Sequence, residues 1–329
     1  MESNELNDEY DVVVIGGGAA GLSGALTLAR ARRSVVVIDA GTPRNAPADG
    51  VHGLLALDGI PPAELVERGR AEVGRYGGQV LAGEVSVATR DAEGFKVALA
   101  GDRSIRARRL LLATGLVDEL PEVPGLQERW GRDVLHCPYC HGWEVRDRAI
   151  GVLASGPRSV HQALMFRQLS ADIVFFTHTM PAPTAEELKQ LSARGIRMVD
   201  GEVFSVEVEQ DRLVGLRLGD GTVVARDAVV VSTRMRARTG FLESLGLRPA
   251  EHPSGMGEHL VTDPTGRTEV PGVWAAGNVT DLAAQVSGAA AAAAFAAAQI
   301  NFDLVEEDTR RAVGEQRQRR TDGPLEVAV

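Results

Sequence analysis

This 329-residue chain predicts an α/β protein assembled from two βαβ nucleotide-binding units. Three features carry that expectation. The run Asp11-Val12-Val13-Val14-Ile15 enters Gly16-x-Gly18-x-x-Gly21 and returns through Val35-Val36-Val37-Ile38-Asp39. A weaker copy starts at Ala149-Ile150-Gly151-Val152-Leu153 and passes through a turn at 154–159. Both cysteines of the chain stand together in Cys137-Pro138-Tyr139-Cys140, followed at once by His141.

The first unit is the stronger. Its opening strand is apolar and β-branched throughout, the pattern of a strand buried on both faces. Gly16 permits the tight turn, Gly18 lets a pyrophosphate approach the backbone, and Gly21 lets helix and strand pack closely. A helix over about 22–32 points its N-terminus at the pyrophosphate. Asp39, closing the second strand, is placed to accept ribose hydroxyl hydrogen bonds. Residues 41–59, with Thr42-Pro43-Arg44-Asn45 and His52-Gly53, read as a long loop or lid. A helix near 62–75 and a polar, strand-rich stretch over 79–107 follow. Arg109-Leu110-Leu111-Leu112 is a buried strand ending in the small-residue turn Ala113-Thr114-Gly115. Pro121, Pro124 and Gly125 then break the pattern and point to a domain crossing.

In the second unit the turn is Ala154-Ser155-Gly156-Pro157-Arg158-Ser159, its helix covers about 160–170 and its next strand 172–177. Strand-like segments continue at 203–208, 213–218 and 228–232. Thr268 to Asn278 form a further apolar strand and turn leading into an alanine-rich helix. The tail after Asn301 is polar and charged, with an end expected to fray.

Composition narrows the function classes. The length suits about two domains of roughly 150 residues each. Hydrophobic content of 44% and charged content of 24% match a globular protein with sizeable cores. A net charge of −10 disfavours nucleic acid or an anionic membrane as partner. Residues 1–11 lack the basic and apolar regions of a signal peptide. The alanine-rich run from Gly288 to Ala298 is too short for a membrane span. The expectation is a soluble, cytoplasmic protein. Two cysteines in such a length do not make a secreted disulfide scaffold.

The cysteine pair reads as chemistry. A bridge over two intervening residues closes too short a loop to stabilise a fold much. The attacking group in thiol–disulfide exchange is a thiolate, and a CxxC arrangement commonly lowers the pKa that controls it. A zinc site needs about four ligands, and no second CxxC is present, so no metal is expected.

Taken in order, Gly16-x-Gly18-x-x-Gly21, Ala113-Thr114-Gly115, Cys137-x-x-Cys140 and Thr268 to Asn278 resemble the low-molecular-weight thioredoxin reductase family of flavoproteins. The resemblance spans nearly the whole chain. It implies two Rossmann-like domains in a thioredoxin-reductase-like fold. A discontinuous FAD domain would cover 1–118 and 249–329, and an NAD(P)-binding-like domain carrying the CxxC would cover 119–248. It implies FAD as cofactor, held by Gly16, Gly18, Ala19, Ala20, Gly21, Asp39 and Ala40 of the first unit. Arg44, Asn45 and His52 of the loop, Val85, and the Ala113-Thr114-Gly115 turn would add to them. Gly277 and Asn278, with Gln285 and Val286 at the following helix, would reach the ribityl chain and flavin ring. A homodimer is also implied.

Three departures matter. The family usually has Asp where this chain has Asn278; Asn still hydrogen-bonds a ribityl hydroxyl but removes a negative charge. The family's NADPH turn is GxGxxA, followed after the next strand by a His-Arg-Arg cluster for the 2′-phosphate. Here Ala154, Gly156 and Ser159 occupy the turn, Pro157 removes a donor, and Thr177-His178-Thr179-Met180-Pro181 contains no arginine. Arg158 is a remote substitute. Finally, ordinary members have an acid after the second cysteine, whereas Cys140-His141-Gly142-Trp143-Glu144 resembles the FAD-dependent dithiol oxidase branch. That branch forms intramolecular disulfides in natural products such as holomycin and gliotoxin, and passes electrons to oxygen.

The resemblance therefore implies that substrate thiols attack Cys137, that Cys140 lies against the flavin, and that O2 is reduced to hydrogen peroxide. His141, titrating near neutrality, would take and return the thiol protons. His136 is expected to be accessory, Glu144 to orient His141 or to be a solvated charge, and Tyr139 and Trp143 to pack or wall a pocket. Two other readings compete with the oxidase. One is a thioredoxin or disulfide reductase driven by NADPH or ferredoxin; the other is a flavin-binding thiol sensor without turnover.

Overall fold

The computed structural model describes residues 7–101 and 103–322. The first six residues of the stretch read for a targeting signal, and the end of the tail expected to fray, lie outside them. The chain opens with β1 (Glu9–Ile15), α1 (Ala19–Arg30), β2 (Val35–Asp39), α2 (Pro62–Arg75) and β3 (Gln79–Ala82). β4 (Val85–Asp91), β5 (Gly94–Leu99), β6 (Ser104–Leu112) and β7 (Leu116–Glu119) follow. Next come α3 (Leu126–Arg129), β8 (Val134–Leu135), α4 (Pro138–His141), β9 (Ile150–Leu153), α5 (Ser159–Phe166) and β10 (Ile173–Phe176). α6 (Ala185–Ala193), β11 (Arg197–Val199), β12 (Val203–Glu209), β13 (Arg212–Leu218), β14 (Val223–Ala225) and β15 (Ala228–Val231) continue it. β16 (Arg234–Ala237), β17 (Ala250–Glu251), β18 (Gly257–His259), β19 (Val273–Ala275) and α7 (Val286–Asp322) complete it.

The first sheet has the order β3-β2-β1-β6-β5-β4, with β19 added on β6. Its β3, β2, β1, β6 and β19 pairings are parallel, whereas β4, β5 and β6 form an antiparallel meander. Val12, Val13, Val14, Val36 and Val37 are fully buried, as β-branched strands covered on both faces should be. One face packs on α1 and α7, through Ala25, Leu28, Ala293, Ala297 and Ile300. The other is covered by Phe95, Val97, Leu242 and their neighbours. The second sheet, β11-β10-β9-β15-β8, is parallel throughout. Beside it lies the antiparallel β12-β13-β14 sheet.

A fourth sheet, β17-β18-β16-β7, carries both crossings between the parallel sheets. β7 takes the chain out and β16 brings it back, paired antiparallel from Leu116↔Ala237 to Glu119↔Arg234. The expected boundary between 118 and 119 therefore falls inside β7.

Local differences have local causes. α1 starts at Ala19 rather than at about 22, because Gly18 itself is the N-cap. It ends at Arg30, and Arg32 then takes a positive φ of 62°. α5 is shorter than expected, giving way to turns after Phe166. α6 carries a full capping box, Thr184 with Glu187, a signal present in the sequence. The alanine-rich run belongs to the 37-residue α7, a stretch of which is long and apolar enough by composition to cross a membrane. Its buried Ala289, Ala293, Ala296, Ala297, Ile300 and Leu304 lie instead in the first core. Further along, Arg108 pairs with Glu307 and Asp308, and Arg109 with Asp303 and Glu307, so the polar end of the helix is held to the sheet. It is a core helix.

Candidate active site

A single cavity of about 1320 Å³ runs from the first glycine turn to the cysteine pair and on to the second turn. That exceeds the roughly 300–1,000 Å³ of an ordinary ligand pocket, leaving room for a dinucleotide and a second molecule. Gly16, Gly18, Ala19, Ala20, Asp39, Ala40, Arg44, Asn45, His52 and Val85 line it. So do Ala113, Thr114, Gly115, Asn278, Gln285, Val286, Cys137, Cys140 and His141. Gly21 and Gly277 lie just behind the lining. A Cβ on Gly21 would come within 1.8 Å of the Gly16 carbonyl oxygen. Gly277, at φ +81°, would press a Cβ to 2.8 Å from that of Ala20.

The first turn fits a flavin dinucleotide. A Cβ on Gly18 would meet nothing within 4 Å, so this backbone opens onto the cavity. α1 has no side-chain cap, which leaves first-turn N–H groups facing the space where a pyrophosphate belongs. Asp39 accepts hydrogen bonds from the amides of Gly17 and Gly41, each at 3.2 Å, and pairs with Arg70. A carboxylate has acceptor capacity beyond these for a ribose hydroxyl. Asn278 donates its amide N–H groups to the carbonyls of Asp281 (3.0 Å) and Ala284 (2.9 Å). An aspartate cannot make these bonds, so the asparagine is matched to its own loop.

The second turn is filled from within. Ser159 Oγ accepts from the amide of Ser155 at 3.1 Å and from that of Gly156 at 3.2 Å. Ser155 in turn donates to the Ser232 carbonyl at 2.8 Å. Pro157 offers no donor. Arg158 extends to the Met256 thioether, 3.9 Å away. After β10, His178 Nδ1 accepts from the Val203 amide at 3.1 Å.

Cys137 and Cys140 are joined as a disulfide, with their Cα atoms 5.3 Å apart. Cys137 caps α4 and Pro138 takes its first position, where no N–H is needed. The Cys137 carbonyl accepts from the amides of Cys140 and His141. Gly142 is required behind them, since a Cβ there would meet the Pro138 carbonyl at 2.2 Å. His141 Nε2 is buried and has no hydrogen-bond partner among the described residues. Burial holds the His141 imidazole below its usual pKa and His52 lowers it further, while Glu144 and Asp49 act in the opposite direction. The shift favours the neutral imidazole.

His136 is a tether. Its Nδ1 donates to the Val231 carbonyl at 3.1 Å, its own carbonyl accepts from Gln162, and burial lowers its pKa. Arg44 lines the cavity but commits its guanidinium to Asp118 at 2.6 and 2.8 Å, and Thr233 donates to the same carboxylate. His52 faces Asp58 and Glu144 rather than the glycine turn. Tyr139, though 68% exposed, walls the cavity as expected, whereas Trp143, 65% exposed, stands outside the lining with Arg146 stacked on it. Sequence reasoning missed the partners Asp118 and Gln162 and the bonds by which the Ser159 hydroxyl fills the second turn.

A family model for pyridine nucleotide-disulphide oxidoreductases matches residues 10–298. The chain is similar to the crystal structure of HlmI, at 45% identity and a TM-score of 0.89 over 95% of this chain and 98% of that one. It is similar to an oxidoreductase from Agrobacterium tumefaciens, at 37% identity and a TM-score of 0.84 over 90% of this chain and 99% of that one. "Thioredoxin reductase tcpT" of Claviceps purpurea (strain 20.1) is 33% identical, over 82% of this chain and 86% of that protein.

Proposed function

The chain belongs to the pyridine nucleotide-disulphide oxidoreductase family, as a flavoprotein of the low-molecular-weight thioredoxin-reductase type, and from that premise we propose that it is a dithiol oxidase. It closes an intramolecular disulfide in a small-molecule dithiol and passes the electrons to O2, giving hydrogen peroxide. In this reading the FAD domain is 1–118 with 249–329, and the CxxC lies in the domain 119–248. Members of this type are typically homodimers, and we extend that to this chain.

The observation that carries the reading is the contrast between the two turns. The first presents open backbone and uncapped amides to the cavity; the second spends its amides on Ser159 and is followed by no arginine. An enzyme without a pyridine-nucleotide site takes its electrons from elsewhere, and a disulfide is already closed in the same cavity. Bound at the first turn, the flavin supplies a two-electron acceptor that oxygen regenerates.

The protein's own residues do the rest. A substrate thiolate attacks Cys137 Sγ, breaking the Cys137–Cys140 bond and forming a mixed disulfide; the second substrate thiolate then attacks that bond and releases the cyclic disulfide. His141, neutral because it is buried, accepts the thiol proton and returns it to the departing sulfur. Tyr139, exposed in the cavity wall, offers an aromatic face for a compact apolar dithiol.

The test is an anaerobic titration of the yellow protein. Dithiol should bleach the flavin, and air should restore the colour with stoichiometric peroxide. Bleaching by NADPH on a millisecond scale would establish the reductase instead. A sensor would bleach but fail to turn over repeatedly in air.

A further inference from the structure

β16 and the residue after it read Arg234-Met235-Arg236-Ala237-Arg238, with arginines at the two-residue period that sets side chains on one face of a strand. The first two are neutralised within the protein. Arg234 pairs with Glu251 and Glu258, and Arg236 with Glu119 and Glu258. Arg238 has no carboxylate partner among the described residues. It lines the cavity, and its Nη1 donates to the Thr42 carbonyl at 3.2 Å and to the Thr42 hydroxyl at 3.3 Å. A guanidinium has more N–H donors than these bonds use, and neither acceptor neutralises its charge.

The backbone of Arg238 is fixed against the first glycine turn. Its amide donates to the Gly115 carbonyl at 3.2 Å, and its carbonyl accepts from Thr114 Oγ1 at 2.8 Å. Thr114 abuts Gly16, where an added Cβ would lie 3.1 Å from the Thr114 Cα. Thr42, which holds the guanidinium, follows shortly after Asp39, and Asp39 accepts from the Gly17 amide on the other flank of that turn. Both flanks of the glycine turn therefore lead to Arg238.

The diphosphate of a dinucleotide brings negative charge into a chain whose own net charge is −10. The N-terminus of α1 offsets about half an elementary charge. Arg44, the cation that the sequence places there, is committed to Asp118, and Arg70 is committed to Asp39. Arg158 lies at the second turn, against Met256. Among the described arginines that line the cavity, Arg238 alone joins a place beside the first turn with an uncommitted charge.

We propose that Arg238 binds the diphosphate of the cofactor, in the role that the sequence assigns to Arg44. The inference rests on FAD occupying the first turn. Arg238 supplies a charge and directed N–H donors to phosphate oxygens, which the backbone amides of α1 cannot supply by themselves. It stands where β16 brings the chain back from the cysteine-bearing segment. A cofactor held by both Gly18 and Arg238 therefore clasps the returning strand to the first βαβ unit.

The test is flavin retention, read without turnover. Wild-type holoenzyme, Arg238→Gln and Arg238→Lys are diluted, and the fluorescence of released FAD gives a dissociation constant for each. Flavin-depleted samples of all three are titrated with riboflavin, which has the ring and ribityl chain but no phosphate. Arg238→Gln should weaken FAD binding about tenfold, the loss expected of a charge-assisted hydrogen bond. Arg238→Lys should weaken it about threefold, since it keeps the charge without the planar fork, and it carries the comparison if the glutamine variant does not fold. Riboflavin affinity should stay within about twofold of wild type in both, because riboflavin offers nothing for the guanidinium to pair with. Added salt should narrow the FAD gap between wild type and Arg238→Gln. Unchanged FAD affinity in the variants would overturn the inference. So would an equal loss for riboflavin, which would make Arg238 a prop for the Thr42 loop and nothing more. A wild-type protein that takes up neither flavin would fail the flavoprotein premise instead, and the assignment with it.

Discussion

Ser159 and Gly156 are bound to each other twice: the serine hydroxyl accepts from the Gly156 amide at 3.2 Å and donates to the Gly156 carbonyl at 2.8 Å. The loop is thereby satisfied without a ligand. NADPH is expected neither to bleach the flavin nor to raise the melting temperature at millimolar concentration. Ser159→Ala frees two amides but leaves Pro157 and the arginine-free segment after β10, so it should not restore binding. Isothermal titration of both proteins with NADPH checks this, and a micromolar Kd for either would count against it.

Asn278→Asp tests the match between the asparagine and its loop. The substitution loses two donated hydrogen bonds and sets a carboxylate against the carbonyls of Asp281 and Ala284. Two such losses cost about 2–4 kcal/mol with the desolvation of the carbonyls. The variant should purify with a lower flavin-to-protein ratio and melt several degrees lower, as read by absorbance and by flavin fluorescence during heating.

Asp118, 3% exposed at its side chain, joins the crossing sheet to the 41–59 loop through Arg44. Burial raises the Asp118 pKa, but hydrogen bonds from Arg44 and the Arg44 charge outweigh it, and the carboxyl is held below its ordinary 3.8. A depressed carboxylate contributes stability that is present above the unfolded value and lost as the pH falls through the folded one. Asp118→Asn should therefore cost about 3 kcal/mol at neutral pH, by stranding a largely buried guanidinium. The gap from wild type, measured by urea unfolding, should narrow only below about pH 4.

For His141 the slope has the same sign, in a higher pH window. Its folded pKa lies below the ordinary 6.5, so between the two values the unfolded chain binds more protons and stability rises with pH. Catalytically, the neutral base persists below pH 6.5. Dithiol-driven flavin reduction should hold its rate at that pH and fall only in more acidic solution. His141→Gln should lower the rate about 100-fold and remove that inflection. Stopped-flow reduction across the acid range measures both.

The elements that could be read in advance were those whose burial writes a period into the sequence. β1 from Val12, β2 as far as Ile38 and β9 run apolar because both of their faces are buried, and the glycines of the first turn announce themselves by spacing. β17 and β18 are two and three residues long, too short for any alternation to register. The cysteine pair was legible because the two residues that bond lie three apart in sequence. Arg44 with Asp118, and His52 with Glu144, were not: each pair joins residues far apart in the chain, and only the fold brings them together. Ser159 was read as a small residue eroding a nucleotide motif, whereas its hydroxyl closes that motif.

The cavity draws two of its sides from opposite ends of the chain, with Gly16 and Gly18 early, and Asn278 and Gln285 late, beside β19 and α7. During synthesis the first βαβ unit emerges long before the strand and helix that finish its sheet. The second parallel sheet is complete before them. The domain made first in sequence is therefore the last to close, and until it does its apolar face awaits the alanine side of α7. On the proposed reading, cofactor capture becomes the concluding act of biogenesis, and a chain stopped before β19 would carry its cysteine segment with the cavity unfinished.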